Sequence, residues 1–150
     1  MISIYTIEKN SRDEFESILK NFEKMISKYS KLKYNSIFSN KITQAQDQTK
    51  ELAQKSYEEA FTPYLKGYNI ALHPDAKEVD SFEFAKIFEN NSHINFFIGG
   101  AYGFNKDFLK KCDRTISLSK LTLSHKIAKV VLYEQIYRAF TIINNHPYHK

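Results

Sequence analysis

The period of apolar positions changes repeatedly along the chain, and each change marks an element. Ile2 to Ile7 reads as a first strand. Ser11 is placed to cap a helix in which Phe15, Ile18, Leu19, Phe22, Met25, Ile26 and Tyr29 recur at helical spacing on one face. Leu32 to Phe38 alternates weakly, as a second strand would. Thr43 to about Phe61 predicts a polar helix with a narrow stripe of Ala45, Leu52, Ala53, Tyr57 and Phe61. A third short strand, Tyr68 to Leu72, ends in His-Pro-Asp. Asp80 and Ser81, with Glu83 following, form the start signal of a helix running through Phe84 and Phe88 to Asn90-Asn91. Ile94 to Ile98 is apolar without interruption and bounded by turn residues, which fits a strand covered on both faces. Phe104 to Cys112 makes a short helix. Thr115 to Leu123 alternates hydroxyl or charge with aliphatic side chains, the pattern of a half-buried strand running into a turn. From His125 to Asn145 there is no Gly or Pro, and apolar residues occupy almost every face. A helix of that kind must be covered all round, either as a central core helix or by a second subunit.

Strand and helix thus alternate about five times, which predicts an α/β fold with a largely parallel sheet and helices on both faces. No repeat, linker or low-complexity stretch divides the chain, so residues 1–150 are expected to form one domain. In open α/β sheets, ligands bind outside the carboxyl ends of the strands. Here those ends are Leu72-His73-Pro74, Gly99 to Gly103, and Ser119 to Ser124.

Charge and cysteine content narrow the setting. No apolar run reaches the roughly 20 residues needed to span a bilayer, and the N-terminus lacks the basic-then-apolar order of a signal peptide. The lone Cys112 permits no internal disulfide and argues against a cysteine zinc site, so a cytosolic (cytoplasmic) protein is expected. The net charge of +5 is uneven: residues 105–150 hold nine Lys and Arg against three Asp and Glu, while residues 1–104 are close to neutral. A basic last third can be a footprint for nucleic acid or simply a solvated basic face.

The candidate chemistry clusters late in the chain. Gly99, Gly100 and Gly103 follow the apolar strand and would allow close approach of backbone to a ligand, or merely a strand-to-helix turn. The dinucleotide fingerprint is incomplete, because Ile98 stands where it needs Gly. His125 follows a possible cap, Ser124. Glu134 and Arg138 are four apart, as an intrahelical ion pair would be. His146 and His149 have no carboxylate or thiol beside them, so no metal site is expected.

Three stretches in order carry a resemblance. They are Phe97-Ile-Gly-Gly-Ala-Tyr-Gly-Phe104, Ile116-Ser-Leu-Ser-Lys-Leu-Thr-Leu-Ser-His125, and Leu132-Tyr-Glu-Gln-Ile-Tyr-Arg-Ala-Phe140 with the ending Asn145-His-Pro-Tyr-His-Lys150. Together they resemble the ribosomal RNA large subunit methyltransferase H family, small SPOUT-class enzymes that methylate N3 of a pseudouridine. The resemblance implies an α/β knot, a homodimer, S-adenosyl-L-methionine as methyl donor, and 23S ribosomal RNA in the assembled 70S ribosome as substrate. It carries donor contacts onto Leu72, Gly100, Ser119, Lys120, Leu121, Thr122, Leu123 and Ser124, and proton-transfer and RNA contacts onto His125, Arg138, Tyr148 and His149. Lys106, Lys110, Lys111, Lys126, Lys129 and Lys150 are candidate phosphate contacts. A side chain at Gly100 is expected to fill the space through which the donor approaches and to leave a folded dimer. The chain departs from the family pattern at His73 to Ala76, where Ala-Leu-Asp and then Gly is usual. Two other readings stay open: a non-catalytic RNA- or ribosome-binding module, and an enzyme using another nucleotide cofactor.

Overall fold

The computed structural model describes residues 1–150. Five parallel strands form a single sheet: β1 (Ile2–Ile7), β2 (Leu32–Ile37), β3 (Tyr68–Leu72), β4 (Ile94–Ile98) and β5 (Arg114–Ile116). Their order across the sheet is β2-β1-β4-β3-β5. β4 lies between β1 and β3, with Phe96 opposite both Ile4 and Ile70. All five of its residues are buried, as an uninterrupted apolar strand in a doubly covered sheet requires.

Six α-helices cover the two faces: α1 (Glu16–Ile26), α2 (Asn40–Gln46), α3 (Lys50–Phe61), α4 (Ser81–Asn90), α5 (Lys106–Lys111) and α6 (His125–Ile143). On one face α6 packs beside α1 and α4, and Ile26, Phe84, Ile87, Leu132, Tyr133 and Ile136 meet Ile2, Ile4, Ile70 and Phe96 of the sheet. On the other, α2, α3 and α5 bring Ile42, Ala53, Tyr57, Phe61 and Phe108 onto Ile7, Ala71 and Phe97. Phe97 is ringed by Tyr5, Phe61 and Phe108 at centroid distances of 5.1–5.4 Å. Each such buried ring contributes about 1.5–3 kcal/mol through apolar burial.

The structure departs from the sequence pattern in four places. α1 begins at Glu16 rather than at Ser11, because the Asp13 carboxylate accepts the Phe15 N–H (2.8 Å) and holds the preceding residues in a turn. Ile18, expected on its buried face, is exposed. The expected single helix over 43–61 is two helices, since Ser39 caps α2 through the Ile42 N–H and Thr49 caps α3 through the Leu52 N–H. The strand expected over 115–123 ends at Ile116. Beyond it Ser117 Oγ donates to the carbonyls of Pro74 and Ser119, and Ser119 Oγ accepts the Leu121 N–H. These local hydroxyl–backbone bonds satisfy the groups that a strand ladder would have used. Asp80 and Glu83 do form the reciprocal capping box of α4.

One ion cluster ties α3 to α5. Glu58 is nearly buried, and its carboxylate accepts from Asn105 Nδ2 and Lys111 Nζ, each at 2.8 Å. These partners hold its pKa below the ordinary carboxylate value, Lys111 first. A folded-state pKa that is depressed contributes stability above the unfolded value and loses it as pH falls through the folded value. Glu58→Gln should therefore lower stability by about 1–3 kcal/mol at neutral pH, with a smaller difference from wild type in acid. Denaturant titration at pH 7 and pH 4 measures this; equal losses at both would show that the charge is not what matters.

Candidate functional site

A cleft opens where the strand-end rule places it, at the carboxyl ends of β3, β4 and β5. Its volume is about 320 Å³. Three segments distant in sequence line it: Leu72 to Asp75, Ile98 to Phe104, and Leu118, Ser119 and Leu121 to Leu123, with His125 and Ala128 of α6 closing one side. The walls are mostly apolar and small, with main-chain polar groups between them, the make-up of a pocket for an organic ligand.

The middle segment is a tight turn. The Gly103 N–H donates to the Gly100 carbonyl at 3.0 Å, and Gly103 has φ +71°, which favours glycine. A Cβ on Gly99 would come within 3.2 Å of the Gly103 backbone. A Cβ on Gly100 would not enter the cleft at all. It would overlap Cζ and the hydroxyl of Tyr57, which lies behind the turn. The expectation that a side chain there acts by filling the ligand's approach space is therefore corrected: it would act by colliding with α3.

The lower segment, where the chain departs from the family pattern, is closed by His73. Its N–H donates to the Ile116 carbonyl at 2.9 Å, its own carbonyl accepts from Ala76, and its Nδ1 accepts the Asp75 N–H at 3.1 Å. The Ser117 N–H then bonds the Lys77 carbonyl at 3.1 Å, so residues 73–77 grip the chain as it leaves β5.

Of the residues singled out from the sequence, Leu72, Gly100, Ser119, Leu121, Thr122, Leu123 and His125 line this cleft. Leu121 stands on the rim with 76% of its surface exposed. Lys120 and Ser124 lie off the wall. Lys120 is exposed, 3.9 Å from Glu78, and Ser124 caps α6 by accepting the Ile127 N–H at 3.3 Å. Tyr102, Phe104, Leu118 and Ala128 line the cleft without having been singled out. Tyr102 and Phe104 flank the glycines in sequence, and that adjacency is the signal that marks them.

Arg138, Tyr148 and His149 are elsewhere. Thirteen residues of rigid helix separate Arg138 from His125, about 20 Å at the α-helical rise. The tail folds back onto α6, with Glu134 as its hub. Glu134 Oε1 accepts from Arg138 Nη2 (2.6 Å), Arg138 Nε (3.0 Å) and the Tyr148 hydroxyl (2.9 Å). The Arg138 guanidinium also lies 4.7 Å from the Tyr148 ring centre. His149 Nδ1 is 3.1 Å from Arg138 Nη1 and packs its ring edge-on to Phe82. Because arginine can only donate, His149 Nδ1 accepts, which puts the ring proton on Nε2. Burial and then Glu134 raise the Tyr148 pKa, so it remains a phenol that donates. Glu134 is thus more than the partner of an intrahelical ion pair.

The basic footprint is also redistributed. Lys129 is only 6% exposed, and its Nζ sits 2.7 Å from Glu8 and over the Tyr34 ring, so it is not free to meet a phosphate. Lys111 is held by Glu58 and Lys126 lies 3.7 Å from Asp13. Lys106, Lys110 and Lys150 are exposed and outside any ion pair. No group of three or more His, Cys, Asp or Glu side chains is arranged to hold a metal ion, and no helix is long and apolar enough to cross a membrane.

The family described as predicted SPOUT methyltransferase matches residues 1–149. The chain belongs to the SPOUT methyltransferase family. Its full-length relatives agree on a narrower name. The ribosomal RNA large subunit methyltransferase H of Aliarcobacter butzleri is 51% identical over 99% of both chains. The protein of the same name from Sulfurovum sp. is 48% identical, again over 99% of both. That from Campylobacter jejuni subsp. jejuni is 50% identical, also over 99% of both. The family's α/β architecture is the one described above.

His125 carries a pH signature. Burial lowers its pKa from the ordinary 6.5, while Glu8 and the Gly100 backbone partly restore it. Below pH 6.5 the unfolded chain then binds this proton more readily than the folded one, so stability falls as pH drops towards the folded value. Chemical denaturation between pH 7.5 and 5 should show a shallower decline for His125→Gln than for wild type. A parallel decline would remove His125 from the acid response.

Proposed function

We propose that the chain is an S-adenosyl-L-methionine-dependent methyltransferase acting on N3 of a pseudouridine in 23S ribosomal RNA, within the assembled 70S ribosome of the cytoplasm. Residues 1–150 act as one SPOUT-like methyltransferase domain, its C-terminal segment threaded as an α/β knot, and the working form is a homodimer. The observation that carries this is the convergence of three separate stretches, at Leu72, Gly100 and 119–123, on a single cleft at the strand ends. Identity of 51% and 48%, over 99% of both chains, to proteins named ribosomal RNA large subunit methyltransferase H supports it.

The cleft fits the donor by the chemistry of its walls. Leu72, Ile98, Leu118 and Leu123 offer apolar contact, and Gly99, Gly100 and Gly103 bring main chain to the wall with no side chain of their own. Bound there, S-adenosyl-L-methionine would supply a methyl carbon already activated by its sulfonium. The chain's own task is then to hold the acceptor nitrogen in line, a matter of proximity and orientation, and to help its N3 proton leave. His125 suits the second role. Its depressed pKa keeps the imidazole neutral near pH 7, with a ring nitrogen able to accept a proton.

Arg138, through the N–H groups that Glu134 and His149 leave free, and the Nε2–H of His149 are donors, while the Tyr148 hydroxyl gives its one proton to Glu134. They suit gripping the uracil oxygens and the phosphate of a nucleotide drawn out of the ribosome, not taking its proton. Standing about 20 Å along α6 from their own cleft, they serve the cleft of the second subunit. Ile127, exposed near the start of α6, and Phe82, exposed beside His149, are apolar groups that a second copy would cover.

Transfer of labelled methyl from S-adenosyl-L-methionine to whole ribosomes, isolated subunits and naked RNA, all lacking the modification, tests this. Transfer to whole ribosomes alone is expected. Donor binding without transfer to any of the three would exclude the substrate, and absence of donor binding would favour a non-catalytic RNA-binding module. Removing Pro147 to Lys150 should leave donor affinity within about twofold and lower transfer at least tenfold, since the grip on the acceptor is lost. Full activity in that truncation would take the tail out of the mechanism.

A further inference from the structure

Behind the glycine turn lies a residue that never touches the cleft. Tyr57 of α3 is fully buried, and its ring occupies the volume that any side chain at Gly100 would need. Its hydroxyl donates to the Gln46 side-chain oxygen, across the break between α2 and α3. One turn of α3 before it, Gln54 Nε2 donates to the Tyr102 carbonyl at 2.9 Å. The carbonyl of the residue at the tip of the turn is therefore bonded by a side chain of α3, and the Tyr57 ring packs behind Gly100. His125 of α6 lines the same cleft as Gly100. Tyr102 and Gly100 both line the cleft, so whatever fixes the turn fixes the cleft wall.

The energetics favour this arrangement for positioning over bulk stability. Tyr57 could be held equally well by apolar packing alone, since Phe61, Phe97 and Phe108 surround the same core. A hydroxyl in such a core costs free energy unless it is bonded. Its bond goes to a glutamine at a helix end, which needs no partner for the sheet to form.

We infer that Tyr57 is a positioning residue for the methyl donor: its ring and hydroxyl, with Gln46 and Gln54, brace the Gly99–Gly103 turn in the shape that receives the donor. This rests on reading the cleft as the donor site. Two consequences follow. Without the hydroxyl the turn samples other shapes, and donor affinity falls by the fraction of time it is misplaced. Acceptor binding and the rate at saturating donor are spared, because no group that touches the acceptor has moved. Moreover, Gly100 is obliged to be glycine by Tyr57, not by the donor.

Titration calorimetry with S-adenosyl-L-methionine on the full-length protein, with steady-state methyl transfer beside it, tests both consequences. Tyr57→Phe should weaken donor binding roughly five- to tenfold, the effect of losing one buried hydrogen bond, and raise KM for the donor equally. The rate at saturating donor and KM for ribosomes should stay within twofold. Gly100→Ala should abolish donor binding in wild type and regain part of it in the Tyr57→Ala background. Unchanged donor affinity in Tyr57→Phe, on a wild type that binds, overturns the inference and leaves the donor cleft standing. So does a fall in the saturated rate matched only by a lower folded fraction. A wild type that binds no donor overturns the reading of the cleft and the inference together.

Discussion

The stiffness of α6 is the constraint on which the site depends. A 19-residue helix cannot bend its two ends together, and this one carries His125 at its first position and Arg138 in its second half. Its own first turn is fixed by the Ser124 cap at the cleft, and its far half is fixed by packing between α1 and α4. The tail is then pinned to the far half by Glu134. Arg138, Tyr148 and His149 are in this way held at a set distance from the residues that line the cleft. On the reading proposed above, a single chain supplies two half-sites.

The rest of the fold serves the first half-site. The sheet places three strand ends side by side, and the loops that leave them are held by bonds to main chain rather than by bulk. Residues 73–77 clasp Ile116 and Ser117, Ser117 and Ser119 shape the exit from β5, and Tyr57 and Gln54 hold the glycine turn from behind. A wall made of backbone and small aliphatic groups is cheap to preorganise only if something outside it is rigid. The aromatic packing of Phe61, Phe97 and Phe108 supplies that rigidity one layer away.

Much of this was legible in the residues, and the reasons are local. The unbroken apolar run at 94–98 gave the central strand, the Asp80–Glu83 pair gave the start of α4, and the strand-end rule located all three cleft segments. What was not legible was non-local or competitive. The hydroxyls of Ser117 and Ser119 look the same in an alternating strand as in a loop where they bond backbone. Thr49 breaks a helix that its neighbours would continue. Tyr57 reads as one more apolar stripe residue, because its neighbours Gln46 and Gly100 come close only in the folded chain. Lys129 reads as a surface lysine until Glu8, 121 residues away, comes within 2.7 Å. That Arg138, Tyr148 and His149 stand apart from the cleft also needed the folded chain, since motif order does not measure distance along a helix.

Subunit complementation tests the two half-sites most directly. One variant carries Gly100→Asp, which disables the cleft, and the other lacks Pro147 to Lys150, which removes the tail; each is assayed alone and after co-expression for methyl transfer to unmodified ribosomes. If the cleft of one subunit works with the tail of the other, two inactive proteins give an active mixture, because the hybrid dimer holds one intact pair. An inactive mixture, with hybrid dimers shown to form, would mean that each tail serves its own cleft and that α6 does not separate them as described.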